Sequence, residues 1–427
     1  MQENTFPAAE KILSDIENVM KKDTNLQSFE IILEDDNENK SPVYHEENSL
    51  GLASWCVQPL YCYTYNRLIE LRNNKLRRED PVMTSRWLLG AILLNPDVNT
   101  FWNMRRELVR NGRIDAIQEL RFIKLVLYHK AKCFEAFSYR RWLIQFILIE
   151  NLHVDNIESL LQEEINVAII SANRYANNYH AWSYRQHVVS MYEALISTNF
   201  HEFLISEWES SEKWCSLHVS DYSGLVYRQF LLKQLLIKSE LIQSDDILSS
   251  EYVDERRKII YEYINKYNNA QGCKDISYLD KESSCEFINT LHGNTNNQKS
   301  NVDYLQVLIA LSYWIEDCIL NEDLIKCYPG HEALWYHRRF LGHTLRCIKL
   351  SYSKYSCYKA ESFESPYCIR LENSHQRSSD NDSRNLLEIA FKNHNIDVIE
   401  FSKQQGSYQS DIADKFIKFL GISHIEF

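Results

Sequence analysis

Glycine and proline are scarce in this chain, 10 and 7 among 427 residues. That scarcity excludes collagen-like and Gly/Pro-rich disordered architectures as the main organisation. There is no run of about 18 apolar residues, the length a helix needs to span a bilayer, so no membrane span is expected. The eleven cysteines contain no CxxC pair and no regular framework. Cys56, Cys62, Cys133, Cys215, Cys318 and Cys327 fall in or beside expected helices, and thiols kept reduced in the cytoplasm are the simplest reading. The opening Met1 to Thr5 lacks the basic–apolar–small pattern of a secretory signal. No GxxxxGK[ST] loop, HExxH helix or GxSxG elbow occurs, so the common stand-alone nucleotide, protease and hydrolase readings fail. His129, His331 and His343 have no ligand-like spacing with cysteine, and no metal is expected on this chain.

Hydrophobic residues make up 44% and aromatics 12% of the sequence, enough for a large packed interior. The net charge of −12 is unevenly spread: residues 1–60 carry 4 Lys/Arg against 12 Asp/Glu, residues 61–145 carry 16 against 8. A basic segment in an acidic protein suits an anionic ligand or an acidic partner surface, whereas a pI near 5.7 argues against bulk nucleic-acid binding.

One signature recurs: an aromatic residue, two residues, then an arginine opening a leucine-rich helix. It reads Trp102-Asn-Met-Arg105, Phe137-Ser-Tyr-Arg140, Trp182-Ser-Tyr-Arg185 and Trp335-Tyr-His-Arg338, with Leu225-Val-Tyr-Arg228 as a variant. The first four arginines in chain order are 35, 45 and 43 residues apart, and the last follows after about 110. Such a period means stacked helical hairpins, none able to bury its apolar face alone. The expected fold is all-α: an α-α superhelix, or solenoid, of antiparallel hairpins forming a crescent. Residues three apart on a helix share a face, so the ring and guanidinium can stack or share a carboxylate, and the arginine can reach backbone carbonyls of the next unit. These residues are read as structural.

Residues 1–49 form an acidic N-terminal segment and cap, with an amphipathic pattern at Ile12, Leu13, Ile16 and Val19. Leu50–Leu71 is apolar-periodic. The solenoid is expected over 50–347, with an insertion at about 268–300. Its turns are Asn95–Asn99, His129–Cys133, Asn177–Tyr179, Val219–Ser223 and Tyr328–Gly330. Ile114–Tyr128, Ile157–Tyr175 and Glu202–His218 are first arms of hairpins, Glu251–Tyr267 is a further helix, and Val302–Cys327 is the last first arm. Residues 348–427 are a polar segment closed by helices at Asn385–Phe391 and Asp411–Leu420.

Two runs, Asn177-Asn-Tyr-His-Ala-Trp-Ser-Tyr-Arg185 and Cys133-Phe-Glu-Ala-Phe-Ser-Tyr-Arg-Arg-Trp142, resemble the repeats of protein prenyltransferase alpha subunits. The resemblance covers about residues 85–235 and 302–346. Leu50-Gly-Leu-Ala-Ser-Trp-Cys-Val57, Leu93-Leu-Asn-Pro-Asp97, His218-Val-Ser-Asp-Tyr-Ser-Gly224 and Tyr328-Pro-Gly-His-Glu332 are most similar to the type III geranylgeranyltransferase branch of that family. The resemblance implies a partner, a Rab geranylgeranyltransferase-type beta subunit, holding the catalytic zinc and the lipid cavity. It implies transfer of geranylgeranyl from geranylgeranyl diphosphate, the co-substrate, to a cysteine near the C-terminus of a protein such as a farnesylated SNARE. No cofactor is expected on this chain itself. A non-catalytic helical scaffold that binds protein partners is the competing reading.

The resemblance also places site residues. Lys132, five residues before Phe137, falls at the family's diphosphate-contacting lysine, and Tyr179 and His180 fall at its tyrosine–histidine pair; these three are the expected catalytic residues. Phe134 stands where the family has a tyrosine, able to pack against an isoprenoid but not to donate a hydrogen bond. Phe134 and Arg140 are the expected substrate-binding residues. The doublets Arg105-Arg106 and Arg140-Arg141 add positive field, one member of each being structural.

Overall fold

The computed structural model describes residues 6–33, 41–73, 80–150, 156–196, 200–237, 250–268, 301–353 and 386–420. Among them are fifteen α-helices and three short strands. Of the insertion expected at about 268–300, residues 269–300 lie outside the described residues, as do residues 354–385. The chain divides into two compact units, residues 1–200 and 201–427.

The first unit begins with α1 (Ala9–Lys22), whose buried stripe is Ala9, Ile12, Leu13 and Ile16. It packs against α2 (Ser54–Asn73) and α3 (Pro81–Leu94). Polar ties fasten it: Glu10 Oε1 accepts from the Trp87 indole and the Tyr63 hydroxyl, both at 2.7 Å, and Arg86 donates to Glu17 at 2.8 Å. Between α1 and α2 lies a small sheet not anticipated from the sequence, β1 (Ser28–Ile32), β2 (Val43–Glu46) and β3 (Ser49–Ala53) in order β1-β3-β2. β1 runs parallel to β3 with Ser28 opposite Ser49, and β2 is antiparallel to β3 with Val43 opposite Leu52. Leu50 and Leu52 therefore belong to a strand, and the helical part of the apolar-periodic segment Leu50–Leu71 begins at Ser54. The sheet buries Phe29, Leu50 and Leu52, and Phe29 meets the His129 ring edge-on at 5.1 Å.

Three hairpins follow: α3 with α4 (Asn99–Arg110), α5 (Ala116–His129) with α6 (Phe134–Ile149), and α7 (Ile157–Arg174) with α8 (Tyr179–Leu195). Local chemistry sets their starts. Asp80, Asp115, Asn156 and Asn178 cap α3, α5, α7 and α8 by accepting from backbone N–H groups of the first turn, and Pro81 stands where a missing N–H costs nothing.

The second unit holds α9 (Phe200–Leu217, its first residue shared with the boundary), α10 (Tyr222–Ile237), α11 (Ser250–Asn268), α12 (Asn301–Cys327), α13 (Glu332–Ser353), α14 (Leu386–Lys403) and α15 (Ser407–Leu420). α9–α10 and α12–α13 are the fourth and fifth hairpins, and α11 packs on α12 and α14. The closing pair α14–α15 behaves as one more hairpin. Phe416 packs on Trp335 at 5.4 Å, and Arg338 donates to Asn395 at 2.8 Å.

A recurring electrostatic joint links consecutive hairpins within each unit, and its spacing explains the signature. Arg140 donates to both carboxylate oxygens of Glu164 in the next hairpin, at 2.5 and 2.7 Å, and to the carbonyl of Leu120, 20 residues earlier, at 2.7 Å. Tyr184, 20 residues after Glu164, donates to the same carboxylate at 2.5 Å. Arg105 and Tyr139 grip Glu119 in the same way, and Arg105 reaches the Ser85 carbonyl. Arg228 donates to Asp317 at 2.6 Å and to the Trp208 carbonyl, again 20 residues back, while His337 lies 2.8 Å from Asp317. The structural reading of the arginines thus holds with two refinements. The carbonyl belongs to the arginine's own hairpin rather than the next, and the carboxylate is shared with the following tyrosine rather than with the signature aromatic. That aromatic instead packs on the same tyrosine, Trp102 on Tyr139 at 4.8 Å and Phe137 on Tyr184 at 5.4 Å.

Candidate functional site

The hairpin turns of each unit are tied to one another, and this places side chains far apart in sequence along one edge. In the first unit, the Pro96 carbonyl accepts from the Trp102 indole at 2.6 Å and faces Cys133 Sγ at 3.8 Å. The amide of Asn178, fully buried, donates to the Ala131 carbonyl of the preceding turn at 2.6 Å and to Ser171 at 3.1 Å. Asn177, just before it, adopts a left-handed backbone (φ 53°), which asparagine tolerates. In the second unit, Ser220 contacts His331 at 2.6 Å, and Gln409 accepts from the Gly330 N–H at 2.6 Å.

Lys132 occupies the turn between α5 and α6, exposed, with its ammonium 4.5 Å from the centre of the Tyr175 ring at the end of α7. Tyr179 and His180 open α8 in the adjacent turn. The Phe134 ring lies 5.5 Å from that of His180, and Tyr179 meets His180 at 5.7 Å. Phe134 and Tyr179 are 57% and 64% exposed, so both rings are open to a ligand. Partial burial holds the His180 pKa below the usual histidine value, and the Lys132 charge adds to that. His180 is therefore neutral at neutral pH, keeping one N–H donor and one acceptor. Four of the expected residues, Lys132, Phe134, Tyr179 and His180, are thus neighbours. Tyr175, which seats the lysine, was not singled out from sequence; its only signal is its place at the end of α7.

Arg140 departs from expectation. It is buried to 1%, and its nitrogens are spent on Glu164 and Leu120, so it is part of the joint and does not reach a ligand. The other signature residues, Trp102, Arg105, Phe137, Trp182, Arg185, Arg228, Trp335 and Arg338, are all buried.

Asp97, Cys133 and Glu135 offer three potential ligand atoms within 4.8 Å of one another. The Cys133 thiol is not poised for a metal: burial pushes its pKa up to about 12, and its sulfur caps α6 by accepting the Ala136 N–H. Among the described residues no helix is long and apolar enough to cross a membrane.

The repeat family described as protein prenyltransferase alpha subunit repeat matches residues 117–147, 161–192, 204–235 and 314–345, which are the second to fifth hairpins. The protein prenyltransferase alpha subunit repeat-containing protein 1-A of Xenopus laevis is 30% identical over 363 residues, covering 81% of this chain and 74% of the relative. The human protein prenyltransferase alpha subunit repeat-containing protein 1 is 30% identical over 348 residues, 78% and 76% of the two chains. The geranylgeranyl transferase type-2 subunit alpha of Saccharomyces cerevisiae is 22% identical over 282 residues, 60% of this chain and 82% of the relative. The chain is built from prenyltransferase alpha-subunit repeats. It belongs to the protein prenyltransferase alpha subunit repeat-containing protein family.

Proposed function

We propose that this chain is the alpha-type subunit of a heterodimeric protein geranylgeranyltransferase of the type III kind, working in the cytoplasm with a Rab geranylgeranyltransferase-type beta subunit. The reaction moves a geranylgeranyl group from its diphosphate to a cysteine near the C-terminus of a protein such as a farnesylated SNARE. The observation that carries the reading is the cluster of Lys132, Tyr179 and His180 on one edge, beside the exposed Phe134 ring.

As the allylic C–O bond breaks, negative charge gathers on the leaving diphosphate. A fixed ammonium with hydroxyl and imidazole donors beside it stabilises that charge more in the transition state than in the bound substrate. Lys132 supplies the charge, Tyr179 a phenolic O–H and neutral His180 an N–H. Phe134 offers apolar surface to the isoprenoid. Zinc, which activates the acceptor thiol, is expected in the beta-type partner and not here.

Co-expression with such a beta chain, followed by an assay of lipid transfer to a farnesylated SNARE-type protein, tests the proposal. A stable pair that transfers geranylgeranyl supports it. A stable pair without transfer supports the scaffold reading, which draws on Phe134 lacking the family's hydroxyl.

A further inference from the structure

The second arms of the first three hairpins share an open groove of about 610 Å³, lined by Asn103, Arg106 and Arg110 of α4, Ser138, Arg141, Trp142 and Gln145 of α6, and His187 of α8. Its size is in the range that holds a small ligand or a few residues of peptide. Trp142 forms the floor for two cations: the Arg106 and Arg110 guanidiniums lie 5.6 and 5.5 Å from its ring centre. Arg141 stands over Tyr184 at 5.9 Å and donates to Ser183 at 2.8 Å. No carboxylate among the described residues pairs with any of these three arginines. Arg105 and Arg140, their immediate neighbours in sequence, are instead fully neutralised by Glu119 and Glu164. The doublets therefore divide into one buried structural arginine and one arginine without a counter-ion.

Two further atoms point to a missing partner. Arg141 Nε and His187 Nε2 are buried and have no hydrogen-bond partner. Burial holds the pKa of both groups, and that of Arg106, below the ordinary value, with neighbouring cations adding to the effect at Arg106 and His187. Three uncompensated guanidiniums in one groove of a protein with net charge −12 specify an anionic ligand.

The layout distinguishes among anions. A compact phosphate is held best where donors converge on one point, as at a helix N-terminus. Here the cations stand on the bodies of α4 and α6, where main-chain donors are consumed within the helices, and they are strung along an open groove. Carboxylates spaced along a chain match that layout, each taken by a guanidinium edge while the guanidinium face rests on an aromatic ring. Arg141 also leads to the candidate site: its charge helps to hold the His180 pKa down.

We propose that this groove binds an acidic stretch of the protein substrate and so leads the attached cysteine toward Lys132 and His180; the inference rests on the function proposed above. Its test is binding, not transfer. Fluorescence anisotropy of a labelled hexaglutamate peptide is followed on the full chain alone. Saturable binding that weakens with added salt is expected, and a hexalysine peptide should not bind. Arg110→Glu, an exposed change that leaves the joints intact, and Arg141→Gln should each weaken binding by about tenfold or more, the loss of one charge-assisted contact. Unchanged affinity in both variants overturns the proposal. So does displacement of the peptide by equimolar pyrophosphate, which marks a small-anion site. Loss of beta-subunit pairing in Arg110→Glu with peptide binding intact also overturns it, because the groove is then a subunit interface. Since the readout needs no partner, an inactive heterodimer leaves the outcome unaffected.

Discussion

Arg140 and Glu164, 24 residues apart and each almost wholly buried, form a two-point ion pair between consecutive hairpins at 2.5 and 2.7 Å. A carboxylate so placed is stranded when its cation is removed, and the reverse holds equally. We expect Glu164→Ala to destabilise the first unit by about 3–5 kcal/mol, the usual cost of leaving one buried charge alone. Tyr184→Phe, which removes one donor and leaves the pair, should cost about 1–3 kcal/mol. Urea denaturation followed by tryptophan fluorescence checks the ranking. Equal costs for the two variants would mean the pair itself contributes nothing.

Acid sensitivity follows from two buried groups of the second unit. Burial alone would raise the Asp317 pKa, but the Arg228 and His337 charges outweigh it and hold it at about 2. Its contribution to stability is present above the ordinary carboxylate range and is lost as pH falls toward 2. Burial, with the Arg338 charge behind it, holds His394 at about 3, so this ring is neutral in the native state and accepts no proton until strong acid. The unfolded chain takes up that proton near pH 6.5, and stability therefore declines as pH falls from there toward 3. His394→Gln should flatten the stability curve between about pH 6.5 and 4, and Asp317→Asn should flatten it below about pH 4. Denaturant midpoints measured across that range decide the matter, and curves parallel to the parent's would refute both assignments.

Thiol reactivity separates the described cysteines. Burial raises Cys56 to about 11 and both Cys133 and Cys215 to about 12, whereas Cys327 is exposed. Iodoacetamide on the native protein should label Cys327 well before these three. Early labelling of Cys133 would show that the turn bearing Lys132 opens readily.

Much of this was legible in the sequence, and the exceptions have physical reasons. The hairpins follow from the aromatic-x-x-Arg period, since a ring and a guanidinium at that spacing must share one buried face. Phe134 and Tyr179 each stand three residues before the aromatic of their signature, and Lys132 and His180 lie in the same two successive turns, which is why the four are neighbours. The sheet did not announce itself: β1 and β3 are five residues each, and their parallel pairing joins segments 21 residues apart. Arg140 belongs to the buried joint rather than to a ligand, as its place in the aromatic-x-x-Arg signature already indicates. Glu119 and Glu164, each 20 residues before the tyrosine that shares it, mark the inward arginine as well.

The hydroxyl absent at residue 134 offers a gain-of-function test. Phe134 is exposed and lies beside His180, so a tyrosine there adds a donor without disturbing the core. If the proposed heterodimer is the enzyme, Phe134→Tyr should raise its transfer rate by about tenfold, with stability changed by less than about 0.5 kcal/mol. A slower enzyme would show that the phenyl surface, not the missing donor, is what this position supplies.

The central claim is that the turn between α5 and α6 delivers a cation to the leaving diphosphate. Single-turnover geranylgeranyl transfer by the complex carrying Lys132→Ala tests it most directly. The account predicts a rate lower by roughly two to three orders of magnitude with subunit pairing intact. An unchanged rate would contradict it.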